Sequence, residues 1–265
     1  MDRRTAADWD AQRYHRVAQP HAAWGANVLD RLRLRGDEVV LDAGCGSGRV
    51  SAQLLERLPT GRLIGVDNSP AMLNEARANL DAYASRVRLI EANLLDLDRA
   101  VESASVDAIF STATFHWIDD HERLFQALHT VARPGAQLVS QFGGGDNLAE
   151  FMRATDAVAS QPGYAAYFAG QALWRFYYTP DQTRARLEAA RFTRIEAWLE
   201  PSPQTFADAH ALGDFARAVV LRNHIGVLPE ALHAEFLSAV LQEIHARLGD
   251  WMLDYVRLNV DAEAA

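Results

Sequence analysis

Three glycines spaced two residues apart stand between a run of apolar residues and an amphipathic stretch. The apolar run is 39–41, Asp42 follows it, and the glycines are Gly44, Gly46 and Gly48. Such a run is typical of a strand buried on both faces of a parallel sheet. Glycines tolerate positive φ and let a ligand approach the bare backbone. The spacing therefore predicts a strand, a ligand-binding turn and the start of a helix.

A second apolar run, 62–67, ends in an acid, Asp67. In a doubly wound sheet, a carboxylate at the tip of the second strand can accept hydrogen bonds from the hydroxyls of a ribose. The dinucleotide fingerprint requires glycine where this chain has Arg49, and the Gly-Lys-Ser/Thr of a P-loop is absent from the sequence. The two runs therefore predict a nucleoside site of another kind.

The pattern Asp-x-Gly-x-Gly-x-Gly over 42–48 resembles the first motif of class I S-adenosylmethionine-dependent methyltransferases. The resemblance implies that the motif faces the methionine part of the cofactor, that Asp67 holds the ribose and that Met72 lies against the adenine. Asn93 stands where the family usually has an acid, and its amide oxygen is still an acceptor. The cofactor-binding residues implied are Tyr14, Trp24, Asp42, Gly44, Cys45, Gly46, Asp67, Asn68, Met72, Asn93, Leu94 and Ser111. For Tyr14 and Trp24 the alternative is that their rings only cover the core.

Composition limits the classes of function and the compartment. The chain has 265 residues and a net charge of −9, which argues against nucleic acid as a partner because phosphate binding needs a basic face. Cys45 is the single cysteine, so a disulfide within the chain and a Cys-rich zinc site are excluded. Its thiol is either reactive or packed as a small apolar group. No histidine spacing indicates a metal, and no apolar run indicates a signal or membrane span, so we expect a cytoplasmic protein.

Strand and helix patterns alternate from 37 to 142, which is typical of βαβ units. We expect an α/β, Rossmann-like, seven-stranded and mostly parallel sheet with an antiparallel edge hairpin, plus helical cap insertions. Capping-box spacing at Asn147 and at Thr179 predicts two helix starts. The expected organisation is a single globular domain with a cap, made of an N-terminal helical segment 1–36, a cofactor-binding core 37–142, a helical and aromatic cap segment 143–190, and two last strands with a helical insertion 191–265.

The acceptor half of the site is less well defined. His116 follows the fourth predicted strand, at the sheet edge where ligands bind, and could be a base or hold an acceptor oxygen; a histidine hydrogen-bonded within its loop is the alternative. An arginine that points into a cap pocket would bind a carboxylate. For each candidate arginine, the alternative is a position on the protein surface. The candidate substrate residues are Trp117, Arg175, Tyr178, Arg217 and Arg222.

The resemblance extends to the trans-aconitate methyltransferase-like subgroup, through residues 115–121 and an insertion near 228–230. It implies methyl transfer to a small molecule, to the oxygen of a carboxylate or hydroxyl, with S-adenosylhomocysteine as product and no membrane partner. The alternative is a protein that binds S-adenosylmethionine but catalyses a reaction such as cyclisation, or regulates a partner. Arg49 disfavours an NAD oxidoreductase. The oligomeric state stays open.

Overall fold

The structure, a computed structural model, describes residue 25 and residues 27–265. Two of the predicted cofactor residues, Tyr14 and Trp24, lie outside the described residues. Within the described part of the N-terminal segment, residues 27–29 are helical, and Val28, Leu29 and Leu32 are buried in the core on one face of the sheet.

The first half of the described chain alternates strands with helices. The strands are β1 Val39–Ala43, β2 Arg62–Asp67, β3 Val87–Glu91, β4 Val106–Thr112 and β5 Ala132–Gly143. The helices are α1 Arg49–Glu56, α2 Pro70–Asn79, α3 Leu97–Ala100 and α4 His121–Val131, with 3₁₀ turns at Asp81–Arg86, Leu94–Asp96 and Phe115–Trp117. Each predicted strand or long helix of 37–142 is present, with ends shifted by a few residues.

The second half carries the cap and the end of the sheet. Its helices are α5 Ala149–Ala159, α6 Ala165–Phe168, α7 Pro180–Ala189, α8 Ala209–Phe215, α9 Arg222–Val227 and α10 Glu230–Leu248, with a π-helical turn at Ala216–Val220 between α8 and α9. Its strands are β6 Phe192–Pro201, β7 Gln204–Thr205, β8 Met252–Leu253 and β9 Val256–Ala264. No described helix is both long enough and apolar enough to cross a membrane.

The main sheet has seven strands in the order β3-β2-β1-β4-β5-β9-β6. Strands β1 to β5 pair in parallel, whereas β9 is antiparallel to both β5 and β6. The expected mostly parallel, Rossmann-like sheet with an antiparallel hairpin at its edge is confirmed. The last strand is the inner member of that hairpin. Because β1, β2, β4 and β5 run the same way, their carboxyl ends meet at one edge of the sheet.

The two predicted capping boxes have different outcomes. At Thr179 the box forms, since its side chain accepts from the N–H of Gln182 and the Gln182 side chain accepts from the N–H of Thr179. The box predicted at Asn147 is wrong, although helix α5 is present. Oδ1 of Asn147 instead accepts from the N–H of Val256. The carboxylate of Asp254 accepts from the N–H groups of Glu150 and Phe151 in the first turn of α5. A segment distant in sequence therefore supplies this cap.

Three apolar cores hold the chain together. Two of them cover the faces of the sheet, and α7 joins one of these through Leu187. The third lies within the cap, where α5 and α6 pack with α8, α9 and α10 around Phe151 and Phe236. The sequence pattern did not predict the short antiparallel pair β7 and β8. These strands stand before α8 and after α10, so their pairing joins the two ends of the helical insertion. Two cap pieces distant in sequence therefore form one packed layer beside the sheet.

Candidate active site

A cavity of about 680 Å³ opens at the carboxyl edge of the sheet and extends under the cap. Pockets of this size hold a drug-sized ligand. Seven predicted cofactor residues lie on its wall: Gly44, Gly46, Asp67, Asn68, Met72, Asn93 and Leu94. Four predicted acceptor residues also lie there: His116, Trp117, Arg175 and Arg222. The donor and acceptor halves that were predicted separately thus share one cavity.

The glycine turn presents bare backbone to the cavity. The N–H of Gly44 is hydrogen-bonded to the carbonyl of Val66 at 2.8 Å, which ties the turn to the end of β2. Gly46 has φ +52°, and a Cβ added there would meet no protein atom within 4 Å. Because Gly46 lines the cavity, that open space is part of the cavity. The turn therefore forms a cradle that any side chain at Gly46 would enter.

Asp67 fixes the second side of the cradle. Its Oδ2 accepts from the N–H of Gly46 at 2.9 Å, and its Oδ1 accepts from the N–H of Ser69 at 2.9 Å. Ser69 in turn caps α2 by accepting from the N–H of Met72, whose side chain is buried on the cavity wall. One carboxylate thus sets the distance between the glycine turn and the start of α2.

Asn93 also takes part in a local cap. It is exposed at the end of β3, and its Oδ1 accepts from the N–H of Leu95 at 2.9 Å. This hydrogen bond starts the 3₁₀ turn that brings Leu94 to the cavity wall. The amide of Asn93 is therefore held at the edge of the cavity by its own turn.

Three predicted cofactor residues lie behind the wall rather than on it: Asp42, Cys45 and Ser111. Ser111 Oγ donates to the carbonyl of Ala43 at 2.7 Å and ties β4 to β1. Burial raises the pKa of the Cys45 thiol well above its usual value, so the thiol is protonated and packs as an apolar group. These side chains support the turn from beneath.

Asp42 is buried under the glycine turn and accepts from Ser51 Oγ at 2.6 Å. Burial raises the pKa of its carboxyl to about 7; the hydrogen bond from Ser51 works in the opposite direction, and the charge of Asp67 adds to the rise. Desolvation disfavours the ionised form of an acid, which explains the sign of this shift. Near neutral pH, Asp42 is therefore a mixture of acid and carboxylate.

The loop after β4 brings His116 to the acceptor side. His116 is buried, and its Nδ1 accepts from the N–H of Gly143 at 3.2 Å. Its ring lies between those of Trp117 and Tyr177, with centroids 5.5 Å and 6.1 Å away. Since Nδ1 is an acceptor, a neutral ring carries its proton on Nε2. In that form His116 is a hydrogen-bond donor through Nε2.

Arg175 is a buried cation on the cavity wall. Its Nη1 donates to the carbonyl of Val220 at 3.0 Å and its Nη2 to that of Val219, and its Cζ lies 3.8 Å from the ring centroid of Trp117. Among the described residues, no carboxylate lies within ion-pair distance of Arg175. Burial lowers the pKa of the guanidinium, whereas the phenols of Tyr177 and Tyr255 act in the opposite direction. The charge of Arg222 adds to the lowering. The structure therefore buries a positive charge that has no carboxylate partner among the described residues.

Two predicted substrate residues, Tyr178 and Arg217, are not on the cavity wall. Tyr178 donates its hydroxyl to the carbonyl of Asp119 at 2.8 Å and packs under Arg186. Arg217 is half-buried on the π-helical turn. The structure therefore leaves both residues outside the wall of the cavity.

The structure places on the wall residues that the sequence did not single out, among them Thr114, Tyr177 and Arg257. Tyr177 belongs to the helical and aromatic cap segment 143–190. Arg257 stands between the apolar residues Val256 and Leu258 of the last strand, and the structure buries it. An arginine within such an apolar run is the sequence signal that could have identified it. Among the described residues, no group of three or more His, Cys, Asp or Glu could hold a metal ion.

The sheet order, the glycine cradle and the carboxylate at the tip of β2 are those that the sequence resemblance implies for a class I S-adenosylmethionine-dependent methyltransferase. Residues 40–135 match the family model for a methyltransferase domain. A solved structure, the Haemonchus contortus phosphoethanolamine N-methyltransferase 2 with S-adenosylhomocysteine and phosphomonomethylethanolamine, has a similar fold, with a TM-score of 0.61 at 17% identity, and covers 96% of this chain and 56% of that one.

Curated relatives match at higher identity and over most of the chain. The trans-aconitate 2-methyltransferase of Methylobacterium radiotolerans is 31% identical over 247 residues, which are 90% of this chain and 89% of that protein. The trans-aconitate 2-methyltransferase of Azoarcus sp. is 32% identical over 242 residues, 87% of each chain. The chain belongs to the trans-aconitate methyltransferase-like family, and its cofactor is S-adenosylmethionine.

Proposed function

We propose that the enzyme transfers a methyl group to a carboxylate oxygen of a small polycarboxylate of the trans-aconitate type. The observation that carries the proposal is Arg175, a guanidinium buried on the cavity wall with backbone carbonyls and an indole as neighbours. A buried charge is expensive unless it is paired. A carboxylate ligand would supply the missing counter-charge. The names of the two curated relatives support the same class of acceptor.

The distribution of charge on the wall supports an anionic acceptor. Arg175, Arg222 and Arg257 all line the cavity. Among the described lining residues, the carboxylates are Asp67, in the glycine cradle, and Asp119, which is exposed. Guanidinium groups bind carboxylates with two parallel hydrogen bonds, and such contacts strengthen when water is excluded. An acceptor with more than one carboxylate suits a wall with three arginines.

The acceptor chemistry agrees with the hydrogen bond that His116 accepts at Nδ1. A carboxylate is already ionised at neutral pH, so methylation of its oxygen requires alignment and no proton removal. The hydrogen bond from Gly143 to Nδ1 makes a neutral His116 a donor through Nε2, which is the opposite of what a general base needs. We therefore assign His116 to orienting the acceptor, and we assign no residue to proton abstraction.

On this proposal, the donor half holds the cofactor with residues of 42–95. The backbone of Gly44 and Gly46 would face the methionine part, Asp67 would hold the ribose, and Met72 with Asn93 would lie at the adenine. S-adenosylmethionine, when bound, supplies an electrophilic methyl group on a sulfonium. The task of the chain is then to bring an acceptor oxygen into line with that group and to exclude water.

The acceptor is tested by mass spectrometry. The enzyme is incubated with S-adenosylmethionine and a panel of carboxylates and alcohols, beginning with trans-aconitate, and both S-adenosylhomocysteine and the methyl ester are measured. We expect ester formation from tricarboxylates or dicarboxylates and none from neutral alcohols. Transfer only to hydroxyl acceptors would contradict the proposal. Cofactor binding without S-adenosylhomocysteine formation from any acceptor would favour a reaction other than methyl transfer.

Arg175→Gln tests the carrying observation. Charge-assisted hydrogen bonds contribute about 1.5–3 kcal/mol, so kcat/KM for the acceptor should fall roughly 10- to 100-fold. The Kd of S-adenosylhomocysteine, measured by calorimetry, should change less than about threefold because Arg175 belongs to the acceptor half. Arg153→Gln, at an exposed arginine of α5 that pairs with Glu150, is the matched control. An equal loss in both variants, or an unchanged kcat/KM in Arg175→Gln, would refute the assignment.

A further inference from the structure

We infer that Thr114 is a positioning residue that joins the donor and acceptor halves of the site. It lies on the cavity wall between the glycine turn and the loop that carries His116 and Trp117. Its side-chain hydroxyl contacts the glycine turn, and its backbone carbonyl is hydrogen-bonded within the loop. This inference concerns the alignment of the two halves and does not depend on which acceptor binds.

On the donor side, the Thr114 side chain fills the space in front of Gly44. A Cβ added to Gly44 would lie 2.2 Å from Thr114 Oγ1 and 2.3 Å from its Cγ2. The hydroxyl has two backbone acceptors in reach, the carbonyl of Gly44 at 3.3 Å and that of Thr112 at 3.0 Å. The first glycine of the motif therefore makes room for Thr114 as well as for a ligand.

On the acceptor side, Thr114 begins the 3₁₀ turn Phe115–Trp117. Its carbonyl accepts from the N–H of Trp117 at 2.9 Å, which fixes the backbone of the residue whose indole packs against Arg175. Any movement of Thr114 relative to the glycine turn is thus passed directly to the residues that face the acceptor.

The backbone before Thr114 is held in an unusual conformation. Ala113 has φ +55°, a left-handed conformation that residues with a Cβ seldom adopt. Its N–H is hydrogen-bonded to the carbonyl of Gln141 at 2.8 Å, which anchors the loop to β5. Such conformations persist where the surroundings determine them strongly, and they cluster at ligand sites. The loop therefore aims the Thr114 side chain at Gly44 from a fixed base.

The functional consequence is a separation between binding and turnover. In-line displacement requires reacting atoms about 3–3.5 Å apart, and a misplacement of about 1 Å can lower the rate roughly 100-fold. A residue that sets the distance between donor and acceptor should affect kcat while leaving the affinity for each ligand nearly unchanged.

The first test compares Thr114→Ser, Thr114→Val and Thr114→Ala. The serine variant keeps the hydroxyl and should retain kcat within about threefold, whereas the valine and alanine variants should lose roughly 10- to 100-fold in kcat. Neither KM nor the Kd of S-adenosylhomocysteine should change more than about threefold. Thr155→Val is the matched control, since it removes a buried hydroxyl that is hydrogen-bonded to the carbonyl of Phe151 in the cap.

The second test needs no turnover. Gly44→Ala should weaken S-adenosylhomocysteine binding because its Cβ would lie 2.7 Å from the Cβ of Thr114 and closer still to Oγ1 and Cγ2. Thr114→Gly removes all three of these atoms and should recover at least threefold of that loss in the double variant. Additive effects on Kd in this cycle would overturn the inference. It would also fail if Thr114→Ala kept its kcat, if kcat and Kd changed by the same factor, or if Thr155→Val lost as much activity as Thr114→Val.

Discussion

Asp42 makes the stability of the ligand-free protein depend on pH in a direction that can be worked out. Its carboxyl has a pKa of about 7 in the folded chain against a reference value of 3.8. An acid whose pKa is raised by folding binds its proton more tightly in the folded state, so its contribution is fully present below pH 3.8 and declines as the pH rises through about 7. Above that range, an ionised and buried Asp42 opposes folding.

The magnitude follows from the two pKa values. At about 1.4 kcal/mol per pKa unit, the loss is about 1.6 kcal/mol at pH 5 and about 4 kcal/mol at pH 8. Asp42→Asn stays neutral and can still accept the hydrogen bond from Ser51. The free energy of unfolding of Asp42→Asn minus that of the parent should therefore increase by about 2–3 kcal/mol between pH 5 and pH 8. In a chain of this size, that corresponds to roughly 5–10 °C in Tm.

Urea unfolding of both proteins at several pH values between 5 and 8 measures this difference directly. Every other titrating group is common to the two proteins, so the subtraction isolates Asp42. Ser51→Ala removes the hydrogen bond that holds the pKa of Asp42 down, and it should enlarge the pH dependence. A difference that is flat from pH 5 to pH 8 would refute the assignment of a raised pKa to Asp42.

Two further predictions concern the cradle and the cap. Gly46→Ala places a Cβ in the open space of the cavity, so the affinity for S-adenosylhomocysteine, measured by calorimetry, should fall at least about 10-fold. The left-handed backbone at φ +52° should also cost about 1–2 kcal/mol of stability. Unchanged affinity would show that the ligand does not approach this turn. Asp254→Ala removes the acceptor for the N–H groups of Glu150 and Phe151 at the start of α5, so the free energy of unfolding in urea should fall by about 1 kcal/mol. An unchanged free energy of unfolding would show that water replaces the cap.

The donor half of the site could be predicted from the sequence because it is built from neighbours in the chain. The glycine turn, Asp67 and Met72 lie within 44–72, and each follows directly from the end of a strand or the start of a helix. The apolar runs identify those strands, and the parallel order brings their ends together. The short-range patterns predict the glycine turn and Asp67 at one edge of the sheet, and the resemblance to the family adds Met72.

The acceptor half depends on packing between segments distant in sequence. Arg175 and Arg217 both lie near aromatic and apolar residues in the chain, yet only Arg175 is on the wall, where the carbonyls of Val219 and Val220 and the indole of Trp117 hold it. Residue types near an arginine do not reveal which carbonyls will face it. The packing of the segment 169–179, between α6 and α7, against the π-helical turn decides the placement.

The two capping boxes show the same limit on a smaller scale. Asn147 and Thr179 have the same spacing to a downstream Glu or Gln, and only Thr179 caps its helix. Asn147 is used by Val256 instead, and Asp254 caps α5 from 104 residues away. A local rule fails where a partner from another segment offers a better hydrogen bond.

The position of β9 between β5 and β6 governs the order in which the sheet can assemble. Strands β1 to β5 find their neighbours through successive βαβ crossovers, whereas β6 pairs in the sheet with β9 alone, and β9 follows it only after the helical insertion. Until β9 has formed, both edges of β6 are open, and its Trp198 and Leu199 stay exposed even in the folded sheet. An open strand edge is where chains pair wrongly with one another. Aggregation during refolding should therefore begin at the open edges of β6.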